Sequence, residues 1–278
     1  MLFSPPTVGD GATDVTADWW TALPGRFEQQ THPNGYLGDH SINPGLGNEA
    51  VLARGEDAVR ALQADGHRGV ECVQLDVTIE DSVAQAAATI AERHGKVDVL
   101  LVNPRLLTRS ACAPQAGIAP DIDYPDRSAM PLSDLIMLAT KTNVAGAAAT
   151  VEHFVPLLSK ADNPRIVFMS TGASSMLIAH DRVGLTKDFP AYSVSKAGLN
   201  MLMLCYYHRY PQWKINACSP GFRATKLNHF GENPYGQVPG PLEEGAVNAV
   251  RLMRLGKDGE SGTHTQLKGE VDYETVPW

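Results

Sequence analysis

The chain has 278 residues, enough for one large α/β domain or two small ones, and 43% hydrophobic with 19% charged residues is the mix of a globular fold with a sizeable core. Its net charge of −8 excludes the basic face that a phosphate-backbone binder needs. Its longest apolar stretch, residues 144–158, is interrupted by Glu152 and His153 and is too short and polar to span a bilayer.

Residues 1–50 hold Gly9, Gly11, Gly25, Gly35, Gly38, Gly45 and Gly47 among several prolines, with no clean periodicity, and read as an irregular N-terminal part. The first residues lack a basic region followed by an apolar one, so a cytoplasmic protein is expected. Cys72, Cys112, Cys205 and Cys218 are far apart and read as reduced, buried small side chains. From residue 69 onward the pattern becomes regular. A short strand is predicted over 70–75, a helix over 81–94, and an apolar strand over 97–103. Residues 104–130 contain Pro104, Pro114, Pro120 and Pro125 and read as a long loop. A helix follows over 132–158, a strand over 165–169, a helix over 190–210, a strand over 214–218 and a last helix over 242–255. Strands alternating with helices of this length predict βαβ units: an α/β Rossmann-like, doubly wound parallel sheet with helices on both faces. Such sheets bind ligands at the carboxyl ends of their strands, where the polar residues after these strands fall.

The chemistry concentrates in Ala191-Tyr192-Ser193-Val194-Ser195-Lys196, just after Pro190. Tyr192 and Lys196 are four apart and share a helix face. A neighbouring ammonium lowers a phenol pKa, and a tyrosine so tuned can move the proton at a carbonyl or alcohol oxygen. With 8 Tyr and 9 Lys, chance alone supplies about a quarter of such a pair; its company is what makes it specific. The strand 165–169 ends in Ser170-Thr171-Gly172, whose hydroxyls could bond a substrate oxygen as charge develops there. Thr142-Asn143-Val144-Ala145-Gly146 interrupts a helix with an amide, Leu75-Asp76-Val77-Thr78 ends a strand with a carboxylate, and Ile215 to Gly221 is a strand ending in a Pro-Gly turn, followed by Thr225.

The series LDVT, DVLLVN, TNVAG, RIVFMSTG, YSVSK and NACSPGFRAT, in that order over residues 51–278, resembles the short-chain dehydrogenase/reductase family. The Val-Pro-Trp ending is similar to that of its fungal members. The resemblance implies a single Rossmann-like domain over 51–278 preceded by a degenerate part of the nucleotide-binding fold over 1–50. It implies Tyr192 as general acid/base, with Lys196 depressing its pKa and holding the nicotinamide ribose. Asn143 would position a water in the proton relay, and Ser170 or Thr171 would act as the catalytic hydroxyl. Asp76 would contact the adenine and Asn103 the adenosine ribose; Thr225 and the backbone near Arg223 would hold the nicotinamide amide and pyrophosphate. The bland readings are a cap or turn for Asp76 and Asn143, an N-cap for Thr225 and a turn for Ser170. No histidine pair has metal-ligand spacing, and no metal is assigned.

Two departures stand out. The family's Thr-Gly-x-x-x-Gly-x-Gly lets the backbone approach a pyrophosphate; here its nearest match is Ser41 to Asn48, with Gly45 and Gly47 in place and Ser41 where the first glycine belongs. The family's Asn-Asn-Ala-Gly is split between Asn103 and Gln115-Ala116-Gly117. Segments 9–41 and 104–114 therefore read as foreign to the motifs around them, through divergence or through translated intron. The expected function is hydride exchange between a nicotinamide, NADP(H) over NAD(H) because Arg54 could meet a 2′-phosphate, and a carbonyl or secondary alcohol. The twenty-two-residue step from Ser170 to Tyr192 implies a loop rich in Met176, Leu177, Ile178 and Phe189, hence a small apolar or aromatic substrate. The alternative is a non-redox enzyme or a silent nucleotide sensor on the same fold. The run Leu199 to Leu204 reads as core or as the face of a homodimer or homotetramer.

Overall fold

Leu100, Val102, Ile166, Val167 and Phe168 leave neither face of their strands polar, so both faces need cover. The computed structural model shows how this is met, describing residues 55–67, 69–103, 121, 130–181, 187–223, 238–269 and 272–278. The chain divides into two compact units, Met1–Leu75 and Asp76–Trp278. In the first, helix α1 covers residues 55–64, which fits the strand-to-helix junction read at Arg54 to Asp57. The strand expected over 70–75 is not formed among the described residues: the segment has no ladder partner there, and a strand is defined by pairing as much as by extension.

In the second unit, helix α2 (Glu80–His94) leads into β1 (Val99–Val102). Then come α3 (Leu132–Thr140), a π turn (Lys141–Ala145) and α4 (Gly146–Leu158). Strand β2 (Arg165–Met169), a 3-10 turn (Gly172–Ser174), α5 (Met176–Asp181) and α6 (Pro190–Arg209) follow. The unit ends with β3 (Lys214–Ser219), α7 (Glu244–Met253), β4 (His264–Lys268) and β5 (Asp272–Thr275). The described strands form one sheet, β1-β2-β3-β4-β5, parallel except for the antiparallel last pair. This mostly parallel sheet flanked by helices is the Rossmann-like architecture that the alternation predicted.

Side chains alternate across each strand, which sorts the core. Val167 and Met169 of β2 join Cys218 of β3 against Ala249 and Leu252 of α7. Phe168 points the other way and stacks on Tyr206 of α6, ring centroids 6.3 Å apart. The predicted single helix over 132–158 is continuous but carries the π turn, where extra-residue bulges often mark function. Gly146 follows the turn as the first residue of α4, where a Cβ would lie 2.8 Å from the Val77 carbonyl oxygen. No helix among the described residues is long and apolar enough to cross a membrane.

Candidate active site

Parallel register sets the site. Val102 lies opposite Phe168 and Met169 opposite Cys218, so Asn103, Ser170-Thr171 and Pro220-Gly221 emerge at one edge of the sheet, the carboxyl ends of three strands. Helix α6 starts beside this edge. Pro190 opens it, a good first helical residue because its missing N–H is not needed there.

Tyr192 and Lys196 stand one turn apart on α6, with the Lys196 Nζ 5.8 Å from the centre of the Tyr192 ring. Lys196 is fully buried, and its Nζ donates to the carbonyl oxygen of Met169, the last residue of β2, at 2.8 Å. Desolvation pulls its pKa down to about 7. Desolvation also pushes the Tyr192 phenol up to about 12, against a hydrogen bond from Thr171 that favours the phenolate. The expected lowering of the phenol toward neutrality by Lys196 is therefore absent: burial dominates, and the same burial weakens the charge on the lysine that was to do it.

The two candidate hydroxyls separate. Thr171 bonds Tyr192 and also accepts from the Ala173 N–H at 3.3 Å. Ser170 turns into the core, where its Oγ donates to the Asn200 Oδ1 at 2.6 Å and lies 3.2 Å from the Ser174 Oγ. Asn200 donates to Ser174 at 2.7 Å and meets the His264 Nδ1 at 3.5 Å, and Ser174 donates to the Thr171 carbonyl at 2.6 Å. A buried polar network thus runs behind Thr171. Asn143 sits fully buried in the π turn; its Nδ2 donates to the Ser195 Oγ at 2.9 Å, and Ser195 donates to the Tyr192 carbonyl at 2.8 Å. Asn143 is thereby tied to the first turn of α6. Gly198 allows this approach, since a Cβ there would lie 3.2 Å from Val144.

The outer residues behave differently. The Asp76 Oδ1 accepts from the Thr78 N–H at 2.9 Å and its hydroxyl at 2.7 Å, the local turn weighed above. Asn103 is exposed after β1. Arg223 folds back: its Nε donates to the Pro220 carbonyl at 3.0 Å and its Nη1 lies 3.1 Å from the Glu244 carboxylate. Thr225, Gly45 and Gly47 lie outside the described residues. His180 is exposed beside Asp181. Among the described residues, no three His, Cys, Asp or Glu side chains gather as a metal site would need.

A model of short chain dehydrogenases matches residues 47–234. The chain belongs to the short-chain dehydrogenase/reductase family. A member from Stachybotrys chlorohalonatus is 45% identical over 237 residues, covering 82% of this chain and 81% of that protein. Salutaridine reductase of Papaver somniferum is 28% identical over 261 residues, covering 76% of this chain and 82% of its own. Its solved structure superposes with a TM-score of 0.57 at 25% identity, covering 77% and 87% of the two chains. NADPH-bound carbonyl reductase from chicken fatty liver, 22% identical with a TM-score of 0.56 over 80% and 83%, shares the fold. This short-chain dehydrogenase/reductase is an oxidoreductase acting on CH–OH and C=O groups.

Among site residues, Asn200 and Ser174 escaped the sequence reading. Asn200 carried a signal, being four residues beyond Lys196 and thus on the same stripe of α6. Ser174 carried none.

Proposed function

We propose that this protein interconverts the carbonyl and secondary alcohol of a small apolar or aromatic metabolite, with Tyr192 as general acid/base and NADP(H) preferred over NAD(H). The supporting observation is the grouping of Tyr192, Thr171 and the buried Lys196 at the carboxyl edge of the sheet. Lys196 spends one of three N–H donors on Met169, so the buried ammonium can still take ribose hydroxyls, and a nicotinamide riboside fits this end of the site. The nicotinamide would supply or take the hydride. Tyr192 would give the proton to the carbonyl oxygen in reduction, and Thr171 would donate a hydrogen bond to the oxygen as its charge grows. Asn143, through Ser195, would hold the Tyr192 turn in register.

Two fold neighbours carry NADPH or NADP, and the similar proteins are named reductases and dehydrogenases, which favours redox chemistry over the non-redox alternative. Asp76, Asn103, the backbone near Arg223, Thr225, Gly45 and Gly47 complete the proposed cofactor track, with residues 1–50 its degenerate first part and 51–278 the Rossmann domain. A homodimer or homotetramer in the cytoplasm is part of the proposal. Met137 of α3 and Val194 and Met201 of α6 expose 70%, 50% and 60% of their surface on two helices that pack together. Sedimentation showing only monomer at working concentrations would refute the oligomer. For the chemistry, titration with NADPH and NADH should show tighter NADPH binding, and Tyr192→Phe should bind cofactor yet lose turnover. Absence of binding at about millimolar cofactor, or full activity of Tyr192→Phe, would overturn the reading.

A further inference from the structure

Helix α6 has an unusual start. The first N–H groups of a helix lack intrahelical partners and need caps. Phe189 at the N-cap has no side-chain acceptor, and Pro190 has no N–H. The Ser193 N–H reaches the Phe189 carbonyl at 3.0 Å. That leaves Ala191 and Tyr192 itself. Both are served from seventy residues away: the buried Asp121 accepts from the Ala191 N–H through Oδ1 at 3.3 Å and from the Tyr192 N–H through Oδ2 at 2.9 Å. A carboxylate here also opposes the positive end of a twenty-residue helix.

From this geometry we infer that Asp121 is a positioning residue for catalysis. By bridging two consecutive amides it fixes the height and rotation of the first turn of α6, and hence the Tyr192 phenol relative to Thr171. The inference rests on the proposed role of Tyr192. The second hold on that turn comes from the other side, where Ser195 links the Tyr192 carbonyl to Asn143. Tyr192 is therefore held at its N–H directly by Asp121 and at its C=O by Ser195 of its own turn, which Asn143 anchors from outside the helix. Removing one clamp leaves the residue on the helix but free to tilt, and a displacement of about 1 Å can cost about a hundredfold in rate.

The test compares wild type, Asp121→Ala, Asp121→Asn and Tyr192→Phe as full chains. Amide hydrogen exchange over the first turn of α6 needs no substrate. Asp121→Ala should exchange there about tenfold faster or more, with far smaller changes in β2 and β3; unchanged exchange overturns the inference. With NADPH and phenanthrenequinone as the probe pair, Asp121→Ala should lose about tenfold to a hundredfold in kcat with KM for NADPH within about twofold. Asn keeps one acceptor oxygen but turns a donor NH2 toward the other N–H, so Asp121→Asn should recover only part of the loss. Equal loss in both variants, or parallel losses in kcat and NADPH affinity, would mean general unfolding and overturn the positioning role. An inactive Tyr192→Phe beside a normal Asp121→Ala ends this inference alone. An active Tyr192→Phe ends the acid/base reading, whatever the exchange data show for the cap.

Discussion

At Tyr192 two effects oppose each other. Removing the phenol from water favours its neutral form, while a hydrogen bond from Thr171 favours the phenolate; burial wins, and the phenol stands at about 12. A tyrosine in that state holds its proton throughout the neutral range, so it is ready to donate and slow to accept. Carbonyl reduction should therefore vary little between pH 6 and 8, whereas alcohol oxidation should rise about tenfold per pH unit until another step limits it. Initial rates in both directions across that range check this, and a pH-independent oxidation rate would contradict it. Thr171 and Ser170 offer a second contrast. One bonds the phenol and the other bonds Asn200. Thr171→Val should lower kcat about a hundredfold, in line with losing a donor at a developing oxyanion, and cost about 0.5 kcal/mol of stability with the lost cap on the Ala173 N–H. Ser170→Ala should instead cost about 1–2 kcal/mol of stability, because it strands buried partners, and leave kcat within a few-fold. A reversed pattern in kinetics and denaturant melts would exchange their roles.

At the scale of elements, what was legible followed the burial rule. Strands β1, β2 and β3 could be read because each lies mostly between two helical layers and needs apolar or small residues on both faces. Strands β4 and β5 could not. His264, Thr265 and Gln266 look like loop chemistry, although His264 and Thr265 are buried and paired into the sheet. The π turn was visible only as an amide interrupting a helical pattern, because one altered turn leaves the apolar spacing almost unchanged. The cap from Asp121 had no local sign at all, beyond the fact that Phe189 and Pro190 cannot cap a helix themselves. Gly146 allows a direct test of how tightly these elements are fitted. Its missing side chain lets α4 start 2.8 Å, measured from an ideal Cβ, from the Val77 carbonyl oxygen, whereas a Cβ on Gly172 would meet nothing within 4 Å. Gly146→Ala should cost about 1–3 kcal/mol through overpacking, lowering Tm by about 2–10 °C, and Gly172→Ala should melt like wild type. Equal melting of all three proteins would refute the close fit.

At the scale of the whole molecule, the site is backed by a buried polar core, and that core makes stability depend on pH. The network Thr171–Ser174–Asn200–Ser170 ends on His264, which is fully buried and whose Nε2 has no hydrogen-bond partner among the described residues. Burial lowers its pKa to about 4, from 6.5 in the unfolded chain. The sign follows from linkage. Between these values the unfolded chain binds more protons than the folded one, so stability is full above about 6.5 and declines as the pH falls toward 4. The complete shift corresponds to about 3 kcal/mol, of which about 2 kcal/mol is lost by pH 5. Lys196 adds little in this window, because with a folded pKa of about 7 it gains most of its charge in both states by pH 6. Denaturant unfolding of wild type and His264→Gln at pH 7 and pH 5 isolates the effect: the variant should lose about 2 kcal/mol less between the two pH values. Identical losses would show that His264 takes up its proton in the folded protein without penalty. Since Asn200 donates toward the unprotonated Nδ1, protonation there would set two donors against each other. Acid should then loosen the support behind Thr171 before the protein unfolds, and activity should fall at a higher pH than structure does.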